Sequence, residues 1–162
     1  MTDWRKVATE SLEKFGHRNW IVVADAAYPA HSAPQITTVS TGEDHLSVLG
    51  WTLDAIAAHP AMDANPYLDA ELAALADARC PGIESLRHGI TSLLPQPAEI
   101  VLHDQLIARL SQDAEHFQVL ILKTTALLPY VSVFLHLQCG YWSPAQDQAF
   151  RQASNLSPDS LP

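Results

Sequence analysis

Trp20-Ile21-Val22-Val23-Ala24, running straight into Asp25-Ala26-Ala27-Tyr28-Pro29-Ala30-His31-Ser32, is the stretch on which the fold turns. An apolar, β-branched run of this length predicts a strand buried on both faces, as in a parallel sheet. Pro29 and Pro34 require the segment beyond it to be loop. Upstream, Trp4, Val7, Ala8, Leu12 and Phe15 recur at helical spacing and predict an amphipathic helix over residues 3–15. Gly16 follows as the expected left-handed stop. Helix, buried strand and polar loop, in that order, open an α/β domain.

The alternation continues downstream. Residues 36–41 read as a second strand, and Asp44 as the cap of a helix over 46–58 that stops before Pro60. Asn65-Pro66 reads as another helix start, a capping side chain with proline at the first helical position, and predicts a helix over 67–78. A helix over 84–93, a strand over 99–102, a helix over 104–111 and a strand over 117–122 follow. Past the Pro129 turn, residues 131–139 complete the set as a strand. About five strands interleaved with five helices predict a three-layer α/β/α single domain with a mainly parallel sheet. The domain is expected to occupy residues 1–140, with 141–162 as a tail that is mobile or packed on a neighbouring subunit.

Composition narrows the function classes. Of 162 residues, 48% are hydrophobic and 17% charged, enough apolar material for one core and too little charge for a disordered chain. The formal charge is −9, and the nine Lys and Arg are scattered singly apart from Arg5-Lys6, so no nucleic-acid partner is expected. The longest apolar run, residues 126–137, is interrupted by Pro129, Ser132 and His136 and is too short to cross a bilayer. Residues 1–6 lack the apolar stretch of a secretory signal, so a cytoplasmic protein is expected. Cys80 and Cys139 have no CxxC spacing and read as small buried residues.

Open α/β sheets gather ligands beyond the carboxyl ends of their strands, where loops converge. Asp25 stands at such an end, with Tyr28, His31 and Ser32 in the proline-stiffened loop behind it. A carboxylate there either anchors a ligand or caps its own turn, and the residues alone leave both open. His17 lies before the strand, so it must return through the turn or meet a ligand from another side.

Phe15-Gly16-His17, then Val22-Val23-Ala24-Asp25-Ala26, then Tyr28-Pro29-Ala30-His31-Ser32 resembles the N-terminal motif of the ribose pyranase and fucose mutarotase (RbsD/FucU) family. Leu128-Pro129-Tyr130-Val131-Ser132 is similar to the family's Tyr-x-Asn segment before its last strand, and His103-Asp104-Gln105-Leu106 to a His-Glu-Gln-Phe stretch. The resemblance implies an RbsD-like fold and a cofactor-independent mutarotase that opens and recloses the hemiacetal of a free fucose- or ribose-like aldose. It implies His17 as the acid/base, Asp25 as the anchor of sugar hydroxyls, and Tyr28, His31, His103, Tyr130 and Ser132 as further substrate contacts. It also implies a homo-oligomer whose sites are shared between subunits. An imidazole titrating near neutrality suits proton exchange at a hemiacetal, and a carboxylate binds hydroxyls strongly.

Ser132 stands where the family has asparagine and Ala27 where the fucose branch has histidine, and either His103 or Gln105 aligns with a basic residue of the third motif. A sugar-binding protein that has lost the chemistry is therefore the alternative. A metal-dependent hydrolase or isomerase ranks below both: no HxH or HxxxH pair is present, and only His17, His31 and Asp25 suggest a zinc trio, so no metal is expected. His59 reads as a helix-end residue, His45, His88 and His116 as solvated surface, and His136 as a strand residue. No Gly-x-Ser-x-Gly elbow and no glycine-rich phosphate loop occurs.

Overall fold

The computed structural model describes residues 2–156 and Asp159. In chain order the elements are α1 (Trp4–Lys14), β1 (Trp20–Ala24), β2 (Ile36–Ser40), α2 (His45–Ala58), β3 (Met62–Asp69) and α3 (Ala70–Ala74). Then come α4 (Ile83–Leu93), β4 (Glu99–Val101), α5 (His103–Asp113), β5 (Val119–Lys123), β6 (Val133–Cys139) and α6 (Pro144–Ala153). The strands form one sheet of order β2-β5-β1-β6-β3-β4. Among the described strands only β6 runs against its neighbours, β1 and β3, so the sheet is mainly parallel, as expected.

Every residue of β1 is buried, and strand alternation splits them between two apolar layers. Ile21 and Val23 join Leu120, Leu135 and the inward faces of α1, α2 and α4, including Leu12, Leu49, Ile56 and Ile90. Trp20, Val22 and Ala24 join Ile121, Phe134 and Leu106 and Leu110 of α5 on the opposite face. Helices on both faces make the three layers. The helix starts follow their caps: Asp3 accepts from the Arg5 and Lys6 amides, and Asp44 accepts from the Ser47 amide.

Several local expectations are corrected. Asn65-Pro66 opens no helix, because both lie inside β3, and the helix expected over 67–78 shrinks to α3. β4 pairs with β3 only from Tyr67 to Asp69, so one flank of β3 is open at Pro66, where a residue without an amide hydrogen is tolerated. The buried Tyr67, Leu68 and Asp69 then complete an extended strand, the sixth, where five had been expected. Gly16 is not left-handed: α1 ends on an extended Phe15, and Arg18, at φ 76°, takes the left-handed conformation. His45, expected at the surface, is buried, with Nδ1 2.9 Å from Thr124 Oγ1. Burial holds its imidazole below the usual range. Within the tail, α6 starts at a full Ser143/Gln146 capping box, and none of its residues is buried.

Candidate functional site

The carboxyl ends of β1, β3 and β4 and the loop entering β6 meet at one edge of the sheet. They enclose a cavity of about 300 Å³ lined by Asp25, Tyr28, His31, His103 and Tyr130, with Pro29, Pro129 and Ile107 as its apolar wall. Such a mixture of aromatic, apolar and a few converging polar groups is typical of small-molecule sites.

Asp25 is positioned as β1 ends. Its Oδ2 accepts from the Ala27 amide at 3.1 Å, and its Oδ1 accepts from Ser132 Oγ at 3.2 Å. Ser132 Oγ in turn accepts from the Asp25 amide at 3.4 Å. The carboxylate therefore caps its own turn and lines the cavity; the two roles left open by the sequence coexist. Ser132, 2% exposed, is turned onto Asp25 and does not line the cavity.

Tyr28 is buried against Phe134 and His31, and its hydroxyl has no hydrogen-bond partner. Burial, with the Asp69 and Asp25 carboxylates nearby, pushes its phenol well above the usual range. His31 Nε2 is likewise buried without a partner. Both atoms are enclosed by protein and left without a hydrogen bond among the described residues.

His103 is the first residue of α5, placed there by two carboxylates. Glu71 accepts its backbone amide at 3.1 and 3.0 Å through its two oxygens, and Asp69 Oδ2 lies 2.9 Å from its Nδ1. Tyr130 meets the ring edge-on at 5.4 Å and holds the left-handed backbone at φ 59°, an uncommon conformation for tyrosine that turns the loop into the cavity mouth. The Asp69 side chain is wholly withdrawn from solvent. Burial, with Glu71 and Asp25 nearby, drives its carboxyl up to about 6 against the pull of the His103 hydrogen bond and charge.

Two sugar-bound proteins share this architecture. RbsD from Bacillus subtilis, solved with D-ribose, superposes at a TM-score of 0.52 with 21% identity, covering 78% of this chain and 86% of that one. The fucose mutarotase from Streptococcus pneumoniae, solved with L-fucose, superposes at 0.52 with 16% identity, covering 78% of this chain and 87% of that one. This chain has the ribose pyranase and fucose mutarotase fold. No protein-family model and no curated sequence matches it.

In this mutarotase fold Asp25, Tyr28, His31, His103 and Tyr130 converge on one cavity, and Ser132 stands behind it. His17 does not join them. It is exposed before β1, beside Arg18, His136 and Trp142, so the length of β1, roughly 17 Å, separates it from Asp25. The trio of His17, His31 and Asp25 is thus split between opposite edges of the sheet. Among the described residues, no group of three or more His, Cys, Asp or Glu side chains is arranged to hold a metal ion. None of the described helices is long and apolar enough to cross a membrane.

Asp69 and Glu71 escaped the sequence reading. The signal was present: Asp69 closes a buried run, Pro66-Tyr67-Leu68, as Asp25 closes Val22-Val23-Ala24. Reading Asn65-Pro66 as a helix start concealed it.

Proposed function

We propose that this chain is a member of the ribose pyranase and fucose mutarotase family, a soluble, cytoplasmic enzyme that interconverts the cyclic forms of a free aldose without a cofactor. The observation that supports this most is the cavity at the carboxyl edge of the sheet, where a pinned carboxylate, imidazoles and aromatic rings face one space. Asp25 anchors sugar hydroxyls by charge-assisted hydrogen bonds, and Tyr130 and Tyr28 offer ring faces and edges to the pyranose. Ring opening takes a proton from the anomeric hydroxyl and gives one to the ring oxygen. In this reading His17 is an acid/base that reaches the cavity only from a second copy, so the working unit is a homo-oligomer with shared sites. Tyr130, by contrast, lines the cavity of its own chain.

A second reading, a binding protein without the chemistry, draws on Ser132, whose hydroxyl is engaged by Asp25 and is not available to a sugar. Exchange NMR on equilibrating ribose and fucose separates the two. The enzyme speeds exchange between ring forms, and His17→Ala loses most of that gain. Sugar bound with exchange left at the buffer rate favours the binding protein, and no binding of any aldose sinks both.

A further inference from the structure

Asp69 does not line the cavity, yet among the described residues it is the single acidic residue buried from solvent. Its Oδ2 is on His103 Nδ1 at 2.9 Å, and its Oδ1 has no partner at all. A buried carboxylate with one oxygen unsatisfied is costly, and a leucine or asparagine in its place would spare the fold that cost. Its one directed contact is the imidazole. Nδ1–H donating to Oδ2 leaves the lone pair on Nε2, which forms no hydrogen bond within the described protein, on a ring that lines the cavity. The ring is held from both ends, since Glu71 grips the backbone amide of the same residue.

Building on the mutarotase reading, we propose that Asp69 and His103 form a proton-transfer dyad. His103 Nε2 takes the proton of the anomeric hydroxyl, and Asp69 is the positioning residue that keeps the ring in the tautomer able to accept it. The O–H electron pair becomes the second bond of the C1 carbonyl, and the C1–O5 bond breaks with its pair going to the ring oxygen. The ring oxygen takes its proton from the His17 acid/base that a second copy brings to the cavity, while His103 keeps the anomeric proton. Closure on the other carbonyl face runs these steps in reverse. Around the dyad stand Glu71 from α3, Asp25, Tyr28 and His31 from the loop after β1, and Tyr130 from the loop before β6.

The test compares the full-length wild type, Asp69→Asn and His103→Gln. Anomer exchange of ribose and fucose is followed from about pH 5 to 8, with ¹⁵N spectra of the histidines and saturation-transfer spectra of bound sugar. The wild type is expected to show His103 protonated on Nδ1 at neutral pH, with exchange falling below about pH 6 as Asp69 takes up a proton. In Asp69→Asn the amide donates to Nδ1 and moves the proton to Nε2. Exchange then drops about 100-fold with sugar still bound. Should Asp69→Asn fold poorly, His103→Gln, which leaves Asp69 and the Glu71 contact in place, carries the same expected loss. An active wild type matched by an equally active Asp69→Asn overturns the dyad alone, as does His103 protonated on Nε2 in the wild type. A wild type that speeds no aldose overturns the mutarotase reading and the dyad's chemistry together.

Discussion

Asp69→Asn is expected to stabilise the protein above neutral pH. The Asp69 carboxyl moves from its ordinary 3.8 to about 6 in the folded chain, chiefly through burial. A shift of about two units is worth about 3 kcal/mol at ~1.4 kcal/mol per unit. A raised folded value means the folded state holds the proton more tightly. The associated stability is therefore complete below 3.8 and lost as the pH rises through 6. At about pH 8 the wild type carries the ionised carboxylate at full cost. Asparagine has the same shape and no charge, and the pull of the His103 bond is already contained in the net shift. The net expectation is a gain of about 3 kcal/mol at pH 8, or roughly 6–12 °C in Tm for a chain of this size. By about pH 4.5 the wild type has regained about 2 kcal/mol and the advantage falls to about 1 kcal/mol. Urea unfolding of both proteins at several pH values, at one protein concentration so that any assembly contributes equally, measures the difference. A variant less stable than wild type at pH 8, or a difference that does not change with pH, would refute the reasoning.

Two further substitutions probe the packing. Tyr28→Phe removes a buried hydroxyl that has no partner, and is expected to raise stability by about 1 kcal/mol in thermal unfolding; a loss of that size would mean the hydroxyl is satisfied after all. Gly140→Ala would place a Cβ 2.8 Å from the Met62 carbonyl oxygen and 2.9 Å from its nitrogen and carbonyl carbon, all backbone atoms that cannot swing aside. A drop of about 1–3 kcal/mol is expected, and an unchanged midpoint would show that the ends of β3 and β6 are free to part.

The layered fold was legible because its signals are local and strong. Trp20–Ala24 is apolar throughout, and Asp3 and Asp44 cap the helices that follow them, so neither a strand nor two helix starts needed tertiary information. Asn65-Pro66 was misread because its helix-start signature is also local, while the strand it belongs to is imposed by pairing with β6, far along the chain. The burial of His45 is of the same kind, depending on Thr124. At the site, Asp25, Tyr28 and His31 were visible as one contiguous loop. The Asp69–His103 pair spans 34 residues, and only the parallel pairing of β3 with β4 brings its halves together. The place of His17 relative to Asp25 was left open, because the spacing across β1 allowed either a return through the turn or an approach from another side.

The place of β6 bears on how the molecule comes into being. Without it the sheet is two pieces, β2-β5-β1 and β3-β4, and a two-stranded ribbon such as β3-β4 is marginal in water. Asp25 belongs to the first piece, and Asp69 and His103 to the second. A chain emerging from the ribosome thus holds no half-built cavity that works: the two sides meet only after residues 133–139 have been made and inserted. Folding waits on the last strand, through contacts distant in sequence and correspondingly slow to form. A frameshift or nonsense codon anywhere before that strand removes the binding site altogether.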